Sequence, residues 1–120
     1  METSLSATEI EAMMRQLPHW SLDKATGTPS IERRFSFSNY HATMAFVNAV
    51  AQIAHREDHH PDLSVHYGSC VVRFNTHDVQ GLSPRDFRCA ALVDALPQAK
   101  GSAQGSAQGP AQGTPQAPAA

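Results

Sequence analysis

The first apolar residues of the chain recur at helical spacing and form one face of a helix. They stand at i, i+3, i+4 and i+7: Ile10, Met13, Met14 and Leu17. Before them, Ser6 and Glu9 have the spacing of a capping box, in which a hydroxyl and a carboxylate satisfy amide groups at a helix start, and Thr8 and Glu11 repeat it. The pattern predicts a first helix that ends at Pro18.

Four other stretches alternate apolar with polar residues, which is typical of strands with one buried face. They are Trp20–Asp23, Ile31–Phe37, Leu63–Tyr67 and Cys70–Thr76. Gly68 and Ser69, between the last two stretches, indicate a hairpin turn. Within the second stretch Arg33 falls on the apolar face, so we expect it to lie near a sheet edge or to carry its charge outward on its long stem.

Two more helices follow from the pattern. Ser38 or Asn39 caps the second, which extends to residues 55–57. Its apolar arc is wide, so we expect it to pack on the sheet and on a second surface, for which a partner subunit is one candidate. Ser83–Asp86 combines a capping box with a proline at the first helical position, and predicts a third helix that continues to Pro97.

The predicted order is helix, strand, strand, helix, strand, strand, helix. Strands that are joined by short turns pair antiparallel, so this order predicts an α+β fold, a two-layer sandwich with a four-stranded antiparallel sheet and the helices on one face. Residues 1–97 make up this domain. Residues 98–120 contain no aromatic or large aliphatic residue, so we expect a disordered, low-complexity Gly/Ala/Gln/Pro tail whose removal leaves activity intact.

Composition narrows the function classes. The domain has eight basic and eleven acidic residues, a net charge of −3, so we expect no direct nucleic-acid binding. No apolar run approaches the roughly 20 residues that cross a bilayer, and no Lys or Arg stands early in the chain. We therefore expect no membrane span and no signal peptide, and a cytoplasmic location. Cys70 and Cys89 are too few for a disulfide scaffold, and we expect both to fill the core in a reducing compartment.

Histidine is over-represented. All seven histidines lie within residues 1–97, and five of them lie between positions 55 and 77. His55 and His59 stand four residues apart on one helical face, but Arg56 occupies the position where zinc-protease helices carry Glu. A metal site built from His55, His59 and His77 is a rival hypothesis, and we expect no metal. Three histidines are expected at the surface: His19, His41 and His66.

The run His59-His60-Pro61 fits two roles. Adjacent imidazoles before a chain-redirecting proline project in different directions, and neutral imidazole both donates and accepts near pH 7, as acid–base catalysis requires. The other interpretation is a polar corner in which one histidine caps the second helix. His77, nine residues before Asp86, favours the catalytic interpretation, although Asp86 is also the capping-box carboxylate of the third helix.

These residues together resemble the signature of the pterin-4a-carbinolamine dehydratases. The pattern is His55-x3-His59-His60-Pro61-x5-Tyr67-x9-His77-x8-Asp86, and the similarity covers about residues 6–96. The resemblance implies the same fold and the dehydration of 4a-hydroxytetrahydropterin to quinonoid dihydropterin, which recycles the cofactor of aromatic amino acid hydroxylases such as phenylalanine hydroxylase. It implies no metal and no organic cofactor. It also implies homodimers, or homotetramers built from dimers, which join sheets at edge strands and pack helices.

The resemblance assigns roles to individual residues. His59 and His77 match positions of proton transfer, and His60 matches a position that holds the substrate hydroxyl and shares in catalysis. Asp86 matches a supporting position that orients or charge-stabilises a histidine. The candidate substrate-binding residues are His55, Pro61 and Thr76. His55 stands where the family commonly has Glu, and it lacks that fixed negative charge.

The alternative function is that of a catalytically idle relative, which acts as a dimerisation or transcriptional cofactor. The intact His59, His60 and His77 argue against it. A dehydration rate above that of the spontaneous reaction distinguishes the enzyme from the cofactor.

Overall fold

The computed structural model describes residues 4–25 and 27–100, which form one four-stranded sheet with helices. The helices are α1 Ala7–Met14, α2 Tyr40–Glu57, α3 Pro84–Asp94 and the short α4 Pro97–Lys100. The strands are β1 Ser21–Asp23, β2 Ser30–Ser36, β3 Asp62–His66 and β4 Ser69–Phe74. A 3₁₀ turn, His77–Val79, lies between β4 and α3. The predicted order of helices and strands is confirmed, whereas the 3₁₀ turn and α4 were not predicted.

Helix α1 begins with the first of the two predicted capping boxes. The Ser6 hydroxyl accepts the Glu9 N–H at 3.2 Å, and the Glu9 carboxylate accepts the Ser6 N–H at 2.8 Å. Regular helical bonding ends at Met14, earlier than the predicted end at Pro18. The chain continues in turns that bring Leu17 into the core, where it is buried, whereas Ile10, Met13 and Met14 are half-buried against that core.

The sheet has the strand order β1-β2-β4-β3, and all neighbouring strands are antiparallel. In the central pair, Ile31 lies opposite Phe74 and Phe35 lies opposite Cys70, and all four side chains are buried in the core that the helices share. Arg34, on the other face of β2, is exposed. The α+β fold with a four-stranded antiparallel sheet and one buried face is therefore confirmed.

Aromatic side chains hold α2 on the sheet. The rings of Phe46 on α2 and Phe35 on β2 have their centroids 4.5 Å apart, and Trp20 meets Phe35 edge-on at 6.2 Å. Phe46 and Phe35 are fully buried. Burial of one such side chain contributes about 1.5–3 kcal/mol to folding, so this contact anchors the helix from which the functional site is built.

Arg33 does not behave as the sequence predicts. Strand β2 is central, not an edge, and the Arg33 side chain is only 9% exposed. Its guanidinium donates to the Asp94 carboxylate at 2.8 Å and lies 4.3 Å from the Phe35 ring centroid. The Trp20 indole N–H donates to the same carboxylate at 2.9 Å. The buried cation is compensated by pairing with Asp94, not by carrying its charge into solvent.

Helix α2 uses only part of its apolar arc within this chain. The Asn39 side chain accepts the Ala42 N–H at 2.8 Å, so Asn39, and not Ser38, caps the helix. The buried stripe contains Phe46, Val50 and Ile53. The adjacent stripe is half-buried at Met44 and Val47 and exposed at Ala51. The second packing surface of α2 therefore stays a prediction.

The ordered chain extends past the predicted domain boundary at Pro97. Residues 97–100 form α4, and Ala99 is 3% exposed within the core cluster. Composition assigned residues 98–100 to the tail because they contain no large apolar side chain, but the Ala99 methyl group is buried where α4 packs against α2 and α3. The tail predicted at residues 101–120 lies outside the described residues.

Both cysteines occupy core positions. Cys70 and Cys89 are buried and not bonded to each other, and burial raises the pKa of each thiol to about 11. Each thiol is therefore protonated and unreactive at neutral pH, as expected of an apolar filler. Within the part of the chain that the structure describes, none of the helices has the length and apolarity that a bilayer crossing requires.

The contribution of α4 can be measured by truncation. We expect a chain that ends at Lys100 to match the full chain in free energy of unfolding within about 0.5 kcal/mol. A chain that ends at Pro97 loses the Ala99 contact and should be less stable by about 1 kcal/mol, because one buried methyl or methylene contributes about 0.8 kcal/mol. Urea denaturation of the three chains measures the difference. Equal stability of the two truncated chains would contradict a packing role for α4.

Candidate active site

The end of α2 turns the chain so that two adjacent histidines face opposite environments. Asp58 has a φ of +51°, a left-handed conformation that Asp tolerates better than most residues. The Asp58 and His59 amides donate back to carbonyls of the last helical turn, including the 3.1 Å bond from His59 to Ala54. As a result His59 is buried, with 7% exposure, whereas His60 is exposed.

A second segment approaches from the end of β4. Thr76 and Gly81 form an isolated bridge with backbone bonds of 2.8 and 3.3 Å, which closes the loop that contains the 3₁₀ turn. Thr76 is 1% exposed, and the next residue, His77, is exposed. Within this closed loop, the Thr76 hydroxyl is therefore buried, whereas the imidazole of the next residue, His77, is exposed.

The buried Asp86 carboxylate joins the two segments, because it is hydrogen-bonded to His59 of the first and to Thr76 of the second. His59 Nε2 lies 2.7 Å from Asp86 Oδ1, and Asp86 is fully buried at the start of α3. The other carboxylate oxygen, Oδ2, accepts the Thr76 hydroxyl at 2.8 Å and the Ser83 N–H at 2.9 Å. The His59 ring stacks on Phe74 with centroids 5.8 Å apart and planes 8° apart. The imidazole is thus fixed by a carboxylate at its rim and by an aromatic ring on its face.

Asp86 serves two functions that the sequence left as alternatives. It forms the predicted capping box with Ser83 at the start of α3, and it binds His59. Because a carboxylate has two oxygens, Oδ2 satisfies the helix start while Oδ1 is directed at the imidazole. The helix that the sequence predicted therefore also orients the histidine.

The structure distributes the predicted site residues around this bond. His60 follows His59 directly, and His77 follows Thr76, so both exposed imidazoles flank the buried cluster. Pro61 is half-buried at the same corner. Of the other candidate substrate-binding residues, His55 is exposed one helical turn before His59. Thr76 is buried with its hydroxyl bound to Asp86, so it is not positioned to offer that hydroxyl to a substrate.

Residues 19, 41 and 66 carry the remaining histidines, and all three are exposed, as predicted. From the sequence alone, Ser83 has no role beyond the helix cap. Its hydroxyl lies 2.8 Å from the Thr76 hydroxyl, inside the cluster. In the sequence, Thr76 stands out only because it directly precedes His77. That position does not indicate that its side chain contacts Ser83, seven residues later.

The rival hypothesis of a metal site names His55, His59 and His77 as its ligands. Among the described residues, no group of three or more His, Cys, Asp or Glu side chains is placed to hold a metal ion. His59 Nε2, one of the nitrogens such a site would need, lies against Asp86. The rival metalloprotein hypothesis therefore has no support in the described part of the chain.

An open depression of about 400 Å³ lies at the opposite end of the sheet. It is lined by Arg34, His66, Tyr67, Gly68 and Ser69, around the β3–β4 hairpin. The histidine cluster instead sits at the start of β3 and the end of β4. The depression and the candidate site are therefore separate features.

The comparison with protein families decides the classification. A family model described as pterin 4 alpha carbinolamine dehydratase matches residues 3–96. The chain belongs to the pterin 4 alpha carbinolamine dehydratase family. A protein of Paracidovorax citrulli named "Putative pterin-4-alpha-carbinolamine dehydratase" is 54% identical over 93 residues, which are 78% of this chain and 80% of that protein. The predicted family resemblance is confirmed.

Solved structures agree with this classification. The crystal structure of a transcriptional coactivator/pterin dehydratase from Brucella melitensis has a TM-score of 0.74 and 27% identity, and covers 81% of this chain and 99% of that one. A pterin dehydratase-like protein identified as a RuBisCO assembly factor in the alpha-carboxysome has a TM-score of 0.55 and 23% identity, and covers 63% of this chain and 86% of that one. The second likeness shows a shared fold.

An ion pair beside the site makes stability depend on pH. Arg88 Nε on α3 donates to the Glu57 carboxylate on α2 at 2.7 Å, which holds the pKa of Glu57 below its ordinary value of 4.5. A carboxyl whose pKa is lower in the folded state binds fewer protons there. Its contribution is therefore present above the ordinary pKa and is lost as the pH falls through the lower, folded value.

We expect Arg88→Gln to lower the urea midpoint at about pH 7 by the small amount typical of exposed ion pairs. The difference from the parent chain should be smaller at about pH 3, because the pH has then fallen below the ordinary value of 4.5 toward the lower, folded pKa of Glu57. Arg15→Gln, at the exposed C-cap of α1, is the matched control and should show no pH-dependent difference. A difference for Arg88→Gln that is equal at both pH values would contradict the ion pair.

Proposed function

We propose that the protein dehydrates 4a-hydroxytetrahydropterin to quinonoid dihydropterin by histidine general acid–base catalysis. The proposal also places it in the recycling of tetrahydrobiopterin-type cofactor for aromatic amino acid hydroxylases. The observation that carries it is the buried His59–Asp86 bond, in which Asp86 also accepts the Thr76 hydroxyl, so that the exposed His60 and His77 each directly follow a residue bound to this carboxylate. Membership of the family supports the substrate class.

The catalytic groups need only move protons in this reaction, because it involves no oxidation or reduction. The carbon–oxygen bond at C4a breaks, and the hydroxyl leaves with an added proton as water. A proton leaves the adjacent ring nitrogen, and its bonding electrons form the new carbon–nitrogen double bond. One acid and one base near neutral pH are sufficient, and imidazole serves as either.

The three histidines divide this work in the proposal. His59 and His77 transfer protons, and His60 holds the substrate hydroxyl and shares in catalysis. Asp86 orients His59 through the hydrogen bond between Oδ1 and Nε2. Exposure suits His60 and His77, because a planar ligand must reach them from solvent, whereas the buried His59 keeps a fixed position at the base of the site.

Single substitutions test the roles. We expect His59→Ala, His60→Ala and His77→Ala each to reduce the rate of dehydration of freshly generated 4a-hydroxytetrahydropterin by about 100-fold, which is a typical contribution of a general acid or base. His41→Ala and His66→Ala remove exposed imidazoles elsewhere and should leave the rate unchanged. Stopped-flow absorbance measures the decay of the substrate. A parent chain that is no faster than the spontaneous reaction would instead support the alternative, a cofactor of other proteins without activity.

We also propose that the protein is a homo-oligomer, either a homodimer or a homotetramer built from dimers. Strand β3 is at the edge of the sheet and keeps Val65 39% exposed, and Tyr67, in the turn that follows the strand, is 69% exposed. Tyr40 stacks on Tyr67 with ring centroids 6.3 Å apart. An exposed edge strand with apolar side chains is a template for pairing with another chain.

A charge on this edge should weaken association. We expect Val65→Lys to raise the dissociation constant at least ten-fold, because the ammonium group must be desolvated in the interface. Ser64→Lys, on the other face of the same strand, is the matched control. Sedimentation velocity over a concentration series measures both variants. A parent chain that is monomeric at about 100 μM, or a Val65→Lys variant with unchanged association, would refute the use of this edge.

A further inference from the structure

The buried cluster contains a chain of hydrogen bonds whose direction can be read from its chemistry. Asp86 Oδ2 accepts the Ser83 backbone N–H at 2.9 Å, and a backbone amide can only donate. Thr76 Oγ1 lies 2.8 Å from the same oxygen. Because an ionised carboxylate can only accept, the single hydroxyl proton of Thr76 also points at Oδ2.

The direction of the next bond follows. Thr76 Oγ1 lies 2.8 Å from Ser83 Oγ, and its only proton is already used toward Asp86. The Ser83 hydroxyl must therefore donate to Thr76. A hydroxyl has one proton and two lone pairs, so Ser83 Oγ can still accept the N–H of Asp86 in the capping box. Each polar atom of the chain then has a partner of the correct sense.

The remaining carboxylate oxygen of Asp86, Oδ1, determines which nitrogen of His59 carries the proton. Asp86 Oδ1 lies 2.7 Å from His59 Nε2, and an ionised carboxylate only accepts. We infer that Ser83 and Thr76 fix the polarity of Asp86, and that Asp86 in turn holds His59 as the Nε2–H tautomer, so that Nδ1 is the nitrogen of His59 that exchanges protons with a ligand. Within the described residues, Nδ1 has no hydrogen-bond partner.

Packing prevents the ring from escaping this arrangement. The His59 ring is 7% exposed and lies nearly parallel to Phe74, with 8° between the planes. A flip that exchanged Nδ1 for Nε2 would require the ring to leave this stack. In catalysis, which rests on the proposed function, neutral His59 is therefore a base through Nδ1 and becomes an acid only after it takes a proton there. Thr76 and Ser83 are positioning residues, since they act through Asp86.

The same logic predicts how an amide behaves at position 86. In Asp86→Asn the carbonyl oxygen must take the place of Oδ2, because the Ser83 N–H and the Thr76 hydroxyl both donate there. The NH₂ group then faces His59 Nε2 as a donor. The imidazole must accept at Nε2 and carry its proton on Nδ1. This variant keeps the shape of the site and inverts the tautomer of His59.

Nitrogen-15 NMR of histidine-labelled protein at about pH 8.5, where an unperturbed imidazole is neutral, reports the tautomer directly. The His59 signal among the seven is identified by its loss in His59→Gln. We expect Nε2–H in the parent chain and Nδ1–H in Asp86→Asn. An Nδ1–H parent chain, or an unchanged tautomer in Asp86→Asn, would overturn the inference. Since this readout needs no substrate, it is independent of the dehydratase assay.

The positioning role of Thr76 is tested by its own variants. Thr76→Val removes the hydroxyl at nearly constant shape and should lower kcat about ten-fold with little change in KM, whereas Thr76→Ser should restore kcat. Thr43→Val is the matched control, because Thr43 is equally buried and bonds carbonyls of Asn39 and Tyr67 outside the site. A kcat loss in Thr43→Val equal to that in Thr76→Val, or no rescue by Thr76→Ser, would refute the role. If Thr76→Val does not fold, the parent and Asp86→Asn spectra still decide the tautomer.

Discussion

The arrangement of the site depends on one hydrogen bond between two buried polar groups, His59 and Asp86, at 2.7 Å. A buried carboxylate without partners costs several kcal/mol, so the fold must deliver donors to it. It does so from three directions: the end of α2, the end of β4 and the start of α3. The satisfaction of one charge thereby brings together the chain segments that carry the exposed histidines.

Structural and chemical roles coincide in the same residues. Asp86 begins a helix and orients an imidazole, and Asp58 ends a helix and directs His59 inward. A second carboxylate, the half-buried Asp94 at the other end of α3, pairs with Arg33 and the Trp20 indole. Helix α3 is thus fixed at both ends by side chains from the rest of the fold. Such double fixing limits the movement of Asp86 relative to His59.

The surface away from the site is less complete than the core. Val65 on strand β3 and Tyr67 in the turn after it are exposed, and Met44 and Val47 on α2 are half-buried. Both features agree with the proposed homo-oligomer, in which one copy would extend the sheet at the β3 edge and another would pack on the half-buried stripe of α2. The histidine cluster lies at the far end of β3 from the Tyr67 hairpin.

The sequence by itself determined the elements and their order, because the signals for them are local. The capping boxes at Ser6 and Ser83 and the strand alternation at Ile31–Phe37 are readable within a few residues and were confirmed. The histidine pattern was likewise sufficient to identify the family. These features survive because caps and periodicity act between neighbours in the chain, whatever the rest of the fold does.

Only the tertiary structure decided the contacts that give the residues their roles. His59 and Asp86 are 27 residues apart, and Arg33 and Asp94 are 61 apart. No periodicity relates such pairs, so neither the burial of Arg33 nor the engagement of Thr76 was predictable. The burial of Ala99 was also not predictable, because a single methyl group gives no local signal of the distant segment against which it packs. A local pattern states which face a side chain occupies, whereas its partner depends on how distant segments pack to satisfy buried charge and fill space.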